Sequence, residues 1–166
     1  MLKIRNASAD DIPLIRELTF KVWPQTYAAI LSSQQIDYML EQMYGESSLQ
    51  KQMAEGSEFL IVYDDNEPAG FASFQETAPQ VWKLHKIYIL SNQQGKGTGK
   101  FVLDHIINEI KKKNAKALQL QVNRYNKAKS FYEKLGFVVI EEADFDIGNG
   151  YFMNDYVMQL SLESIA

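Results

Sequence analysis

The feature that most limits the fold is a change of hydrophobic period near residue 58. Before it, Ile12, Ile15, Leu18 and Val22, and then Ile36, Met39, Leu40, Met43 and Tyr44, recur at the spacing of helix faces. After it, residues 59–63, 70–74 and 81–90 read as three consecutive strands with short connections, an antiparallel meander. A first strand is expected at 2–5. Ser8, with Asp11 three residues on, starts the first helix. Trp23-Pro24 is expected to interrupt that helix, a second begins near Ser33, and a short third turn covers 47–54.

Beyond residue 90 the pattern alternates. Residues 92–99 are glycine-rich and open a helix whose apolar face is Phe101, Val102, Leu103, Ile106, Ile107 and Ile110. It ends in Lys111-Lys112-Lys113, cations that suit the negative end of a helix dipole and require no nucleic acid. A strand at 117–122, a helix at 126–135 stopped by Gly136, a strand at 137–140, a turn at 147–150 and a strand at 151–160 follow. The expected class is α/β, with a mixed central sheet of about seven strands and helices on both faces. At 166 residues with 46% hydrophobic positions, the whole chain, 1–166, is expected to be one domain.

The net charge of −4 argues against a nucleic-acid binder with a globally basic surface. No Lys or Arg follows Lys134, whereas Glu141, Glu142, Asp144, Asp146, Asp155 and Glu163 do, so the acidic excess falls on the last strands as a surface suited to a cationic amine. The absence of cysteine excludes disulfides, thiolate metal sites and a cysteine nucleophile. Asp144 and Asp146 do not open a calcium loop, because Asn149 stands where the sharp-turn glycine belongs; no metal is expected. Asp10-Asp11 breaks any secretory apolar run, and no segment reaches the ~20 apolar residues of a membrane span. A cytoplasmic location, with neither membrane nor nucleic-acid partner, is the expectation.

Gln94-Gly95-Lys96-Gly97-Thr98-Gly99-Lys100 lies at a strand-to-helix junction, where backbone N–H groups and the positive end of a helix dipole converge on one anion. It is not a Walker A loop, since Phe101 follows Gly99-Lys100. Nor is it a dinucleotide fingerprint, since its glycines run G-x-G-x-G. The spacing Q-x-x-G-x-G at Gln94, Gly97 and Gly99, after Leu84-His85-Lys86-Ile87-Tyr88-Ile89, resembles the acetyl-CoA loop of the Gcn5-related N-acetyltransferases, the GNAT superfamily. The run from Asn126 through Ala128 and Lys129 to Phe131-Tyr132 and Gly136-Phe137 is similar to a second motif of that family. Both occur in family order, and the resemblance extends over essentially the whole chain.

The resemblance implies a GNAT fold and transfer of acetyl from acetyl-CoA to a primary amine by direct attack in a ternary complex, without a metal. It further implies that Ile87, Tyr88 and Ile89 line the pantetheine arm and that Gln94, Gly95, Lys96, Gly97, Thr98, Gly99 and Lys100 hold the pyrophosphate. Asn126 would contact the coenzyme and Tyr132 its sulfur. A phenol with pKa near ~10 holds its proton at neutral pH and can give it to a thiolate, which suits Tyr132. A backbone N–H near Ile87 would stabilise the oxyanion. For the base, His85 titrates near neutrality, with Glu76 and Asp155 as competitors.

The same resemblance places acceptor contacts on the first two helices, where Trp23, Thr26, Tyr27 and Tyr38 could hold a cation by its face, with Asp155 also binding substrate. Residues 145–158 and Lys86-Ile87-Tyr88-Ile89 are similar to bacterial spermidine/spermine acetyltransferases of the PaiA type, which makes a polyamine the first acceptor to consider. Alternatives are a peptide or protein amine, or an acyl-CoA-binding module without turnover. A homodimer is in keeping with the resemblance.

Overall fold

The computed structural model describes residues 1–93 and 95–162. Strand β1 (Leu2–Ala7) leads into helices α1 (Ile12–Tyr27), α2 (Ser33–Tyr44) and α3 (Glu46–Ala54). Strands β2 (Glu58–Asp64), β3 (Glu67–Ala78) and β4 (Val81–Ile89) follow, then α4 (Thr98–Lys111), β5 (Ala117–Asn123), α5 (Ala128–Lys134), β6 (Val138–Gly148) and β7 (Tyr151–Ser161). Among the described residues the strands form one seven-stranded sheet in the order β1-β2-β3-β4-β5-β7-β6. β1–β2 and β2–β3 are antiparallel, β4–β5 is parallel, and β7 runs antiparallel to both β5 and β6. The expected class, α/β with a mixed seven-stranded sheet, is the one observed. No helix among the described residues is long and apolar enough to cross a membrane.

The chain divides into two compact units, Met1–Gln75 with Lys86–Ile106, and Glu76–His85 with Ile107–Ala166. In the first, Ile12, Ile15, Leu18, Val22 and Trp23 of α1 are buried, as are Phe59 to Val62 of β2 and Phe71 and Ala72 of β3. The β2–β3 hairpin closes through Asp65 and Asn66, both in the left-handed region that such two-residue turns require. In the second unit Leu118, Leu120, Val122, Tyr132, Phe137 and Met158 are buried.

Two elements depart from expectation. Helix α1 does not stop at Trp23-Pro24 but runs to Tyr27, with the Ala28 N–H donating to the Pro24 carbonyl at 3.1 Å. Proline costs a helix one donor and crowds the preceding turn, yet Trp23 is 2% exposed, and its burial holds the last turn in register. Strand β6 extends to Gly148 instead of ending at Ile140. Its acidic residues hide the strand pattern because β6 is an edge strand, whose side chains stay largely exposed.

Candidate active site

In the first unit the end of β4 turns through Ser91–Gln93 into α4. The Gln93 N–H donates to the Leu90 carbonyl at 2.9 Å, and buried Thr98 donates its hydroxyl to the side-chain oxygen of buried Gln93 at 3.1 Å, which pins the loop at both ends. Between these pins Gly95 and Gly97 adopt φ of +80° and +76°. A Cβ built on either would meet nothing within 4 Å, so open space lies over the backbone. The first-turn amides of α4, at Thr98, Gly99 and Lys100, have no carbonyl one turn earlier in the helix to bond. Open space, left-handed glycines and a helix N-terminus fit the pyrophosphate of a coenzyme. Lys96 lies 3.9 Å from half-buried Asp64 and Lys100 2.9 Å from exposed Asp104, ion pairs at the surface that a phosphate can displace at little cost. Gln94 lies outside the described residues.

Ile87, Tyr88 and Ile89 are half-buried on β4. The neighbouring backbone is close: a Cβ on Gly70 would sit 2.4 Å from the Tyr88 carbonyl oxygen, so only glycine fits there. The Tyr88 ring belongs to an aromatic group. Trp23 stands 4.6 Å from Tyr27, 5.5 Å from Tyr44 and 6.0 Å from Tyr88, and Phe71 closes the group. Burial pushes the Tyr44 phenol well above its ordinary range, opposed by a hydrogen bond with Tyr88. The Trp23 indole N–H is buried and favours ionised Tyr44 electrostatically, without reaching hydrogen-bond geometry. Lys86 places its ammonium over the Tyr44 ring, so this group already holds a cation from the chain itself. Tyr38 and Thr26 are half-buried on α2 and α1.

In the second unit Tyr132 of α5 is 7% exposed, its ring edge-on to Phe131 and Phe137. Asn126 caps the same helix, its side-chain oxygen accepting the Ala128 N–H at 2.9 Å. The three candidate bases differ. His85 is exposed; Glu76 is exposed and accepts the Gln80 N–H; Asp155 is 2% exposed. Burial raises the Asp155 carboxyl above its ordinary value, an effect opposed by its Gln121 hydrogen bond and by the charges of Lys83 and Arg124. The acidic stretch of β6 is not one open surface. Glu142 and Asp144 both hold the Arg124 guanidinium, and Asp146 accepts the Gly148 N–H.

The model of the acetyltransferase (GNAT) domain matches residues 27–159. The chain belongs to the GNAT family. The [ribosomal protein bS18]-alanine N-acetyltransferase of Haemophilus influenzae is 37% identical over 78 residues, 47% of this chain. The match spans only about half, 53%, of that relative's length. Among solved structures, the PaiA N-acetyltransferase of Thermoplasma acidophilum in complex with coenzyme A superposes with a TM-score of 0.81 at 26% identity, covering 97% of this chain and 99% of that one. The ribosomal-protein-S18-alanine N-acetyltransferase of Escherichia coli shares the fold, with a TM-score of 0.75 at 20% identity over 100% of this chain and 97% of that one.

Reading the sequence overlooked the polar residues that surround Asp155. Lys83 alternates with buried Trp82 and Leu84, and Gln119, Gln121 and Asn123 alternate with buried Leu118, Leu120 and Val122. That period of two was the available signal for a polar sheet face.

Proposed function

We propose that this GNAT-family chain is an acetyl-CoA-dependent N-acetyltransferase acting on a primary amine. The observation that carries this reading is the pinned glycine turn before α4, whose open left-handed backbone and first-turn amides suit a pyrophosphate. Acetyl-CoA, when bound, supplies the acetyl group as an activated thioester.

The chain's own residues then have three tasks. The amides of Gly95, Lys96, Gly97, Thr98, Gly99 and Lys100 bind and orient the phosphates, while Ile87, Tyr88 and Ile89 flank the pantetheine arm and Asn126 adds a coenzyme contact. Tyr132 Oη gives the leaving thiolate the proton it needs, its ring held edge-on by Phe131 and Phe137. A carboxylate or imidazole accepts the proton of the incoming ammonium, and of the candidates Asp155 is the buried one.

Two acceptors are in play. The similarity of residues 145–158 and of Lys86-Ile87-Tyr88-Ile89 to spermidine/spermine acetyltransferases of the PaiA type favours a polyamine, and likeness to an enzyme named for ribosomal protein bS18 alanine favours a peptide α-amine. The deciding experiment incubates the protein with acetyl-CoA and a panel of polyamines, aminoglycosides, amino acids and alanine-led peptides, and reads free thiol. Amine-dependent release identifies the acceptor. Coenzyme binding without release across the panel indicates a binding module, and no coenzyme binding rejects the reading.

A further inference from the structure

A chain of polar side chains crosses three strands of the second unit. Lys83 of β4 donates from Nζ to Gln121 Oε1 at 2.5 Å, and Gln121 of β5 donates from Nε2 to Asp155 Oδ2 of β7 at 3.2 Å. The register places Lys83 opposite Gln119, Gln119 opposite Gln159, and Asn123 opposite Asp155, so all of these lie on the face turned away from Leu118, Leu120 and Val122.

The chain has a direction. The ammonium of Lys83 can only donate, so it fixes the oxygen of the Gln121 amide toward itself and turns the NH2 toward Asp155. A carboxylate can accept about four hydrogen bonds. Asp155, 2% exposed, receives that single side-chain bond on Oδ2, and among the described residues nothing donates to Oδ1. The carboxylate therefore keeps acceptor capacity for a further donor.

On this face of the sheet Lys83 is the cation of the chain, whereas Arg124 is committed to Glu142 and Asp144, which the register puts on the opposite face from Asp155. No group of three metal-ligating side chains occurs among the described residues, whereas an ammonium needs only one carboxylate oxygen. The flanking Lys83, Gln121, Asn123 and Val157 are half-buried, so this face of the sheet is partly open to solvent.

We propose that Asp155 Oδ1 is the docking point for a primary ammonium group of the acceptor, with Gln121 and Lys83 as the positioning residues that present it. This rests on the acetyltransferase reading above and assigns the acceptor's charged end to one atom.

The test titrates n-butylammonium and tetramethylammonium into the full-length protein by calorimetry, with and without coenzyme A. Tetramethylammonium carries the same charge but no N–H, so it reports on aromatic faces and not on Oδ1. The expected result is n-butylammonium binding at least tenfold tighter than tetramethylammonium, reduced at least tenfold in Asp155→Asn. Gln121→Leu and Lys83→Met should weaken it severalfold, and Lys83→Arg should restore it. In turnover with the acceptor that the panel identifies, Gln121→Leu should raise KM and leave kcat within twofold.

A second readout on the wild type, the carboxyl carbon resonance of Asp155, should shift on addition of n-butylammonium, which keeps the proposal testable if Asp155→Asn does not fold. Equal affinity in wild type and Asp155→Asn, equal affinity for the two probes, or no n-butylammonium binding overturns it. Loss of the parent reading shows separately, as failure of coenzyme A to bind.

Discussion

The ammonium of Lys86 lies 4.6 Å from the centre of the Tyr44 ring, with both residues buried. Tyr44 is therefore held by charge on its face, by edge contacts with Trp23, Phe71 and Tyr88, and by the Tyr88 hydrogen bond. Tyr44→Phe keeps the ring and loses the hydroxyl, an expected cost of about 1 kcal/mol. Tyr44→Leu also loses the edge contacts and the cation–π attraction, and should cost about 3 kcal/mol in total. Urea unfolding of both variants checks this. Equal losses would mean that the ring's faces and edges contribute nothing beyond volume.

Gly97 at φ +76° combines a backbone need with open space over its α-carbon. Gly97→Ala should strain the fold by about 1–2 kcal/mol, because a Cβ disfavours the left-handed region. The methyl group also enters the space assigned to phosphate oxygens, so coenzyme A affinity should fall at least tenfold by calorimetry. Ala at Gly150, a left-handed glycine of the β6–β7 turn, serves as the control: it should carry similar strain and leave coenzyme affinity unchanged.

Much of this was legible in the residues themselves. The change of period near residue 58 located the meander, and the glycine spacing located the turn before α4, because both are local properties of the chain. Pro24 misled because helix continuity there depends on the burial of Trp23, a tertiary effect that outweighs a local penalty. β6 was cut short because edge strands need no apolar alternation. The Lys83–Gln121–Asp155 chain joins residues 38 and 34 positions apart in sequence, and no local pattern records which strands become neighbours.

At the start of the fold, Asp11 accepts the Ser8 N–H at 2.9 Å and a bidentate pair of bonds from Arg5. The Arg5 hydrogen bond first, and then the Ser8 N–H, hold the Asp11 carboxyl below its ordinary value of 3.8. A depressed folded-state pKa means that the unfolded chain binds more protons as pH falls past 3.8. The stabilisation is therefore fully present above that pH and is lost as pH falls through the folded value. The urea midpoint of the wild type should exceed that of Asp11→Asn at pH 6, and the gap should close on acidification below pH 3.8. A gap that stays constant with pH would show that the carboxylate charge is not what holds the turn.

Tyr132 is buried at 7% exposure on a short helix, held by two edge-on aromatic contacts that do not involve its hydroxyl. Removing only that oxygen should leave the packing in place, so Tyr132→Phe should unfold within about 1 kcal/mol of the wild type and bind coenzyme A with unchanged affinity. If the phenol supplies the proton for the departing thiolate, kcat should fall by about 10²–10⁴ while KM for the amine stays within twofold. The distinguishing measurement is the leaving-group dependence. With an acetyl donor whose thiol is more acidic than that of coenzyme A, the departing thiolate needs less help, and the Tyr132→Phe defect should shrink. A defect of the same size with both donors would assign Tyr132 to positioning the coenzyme and remove it from proton transfer.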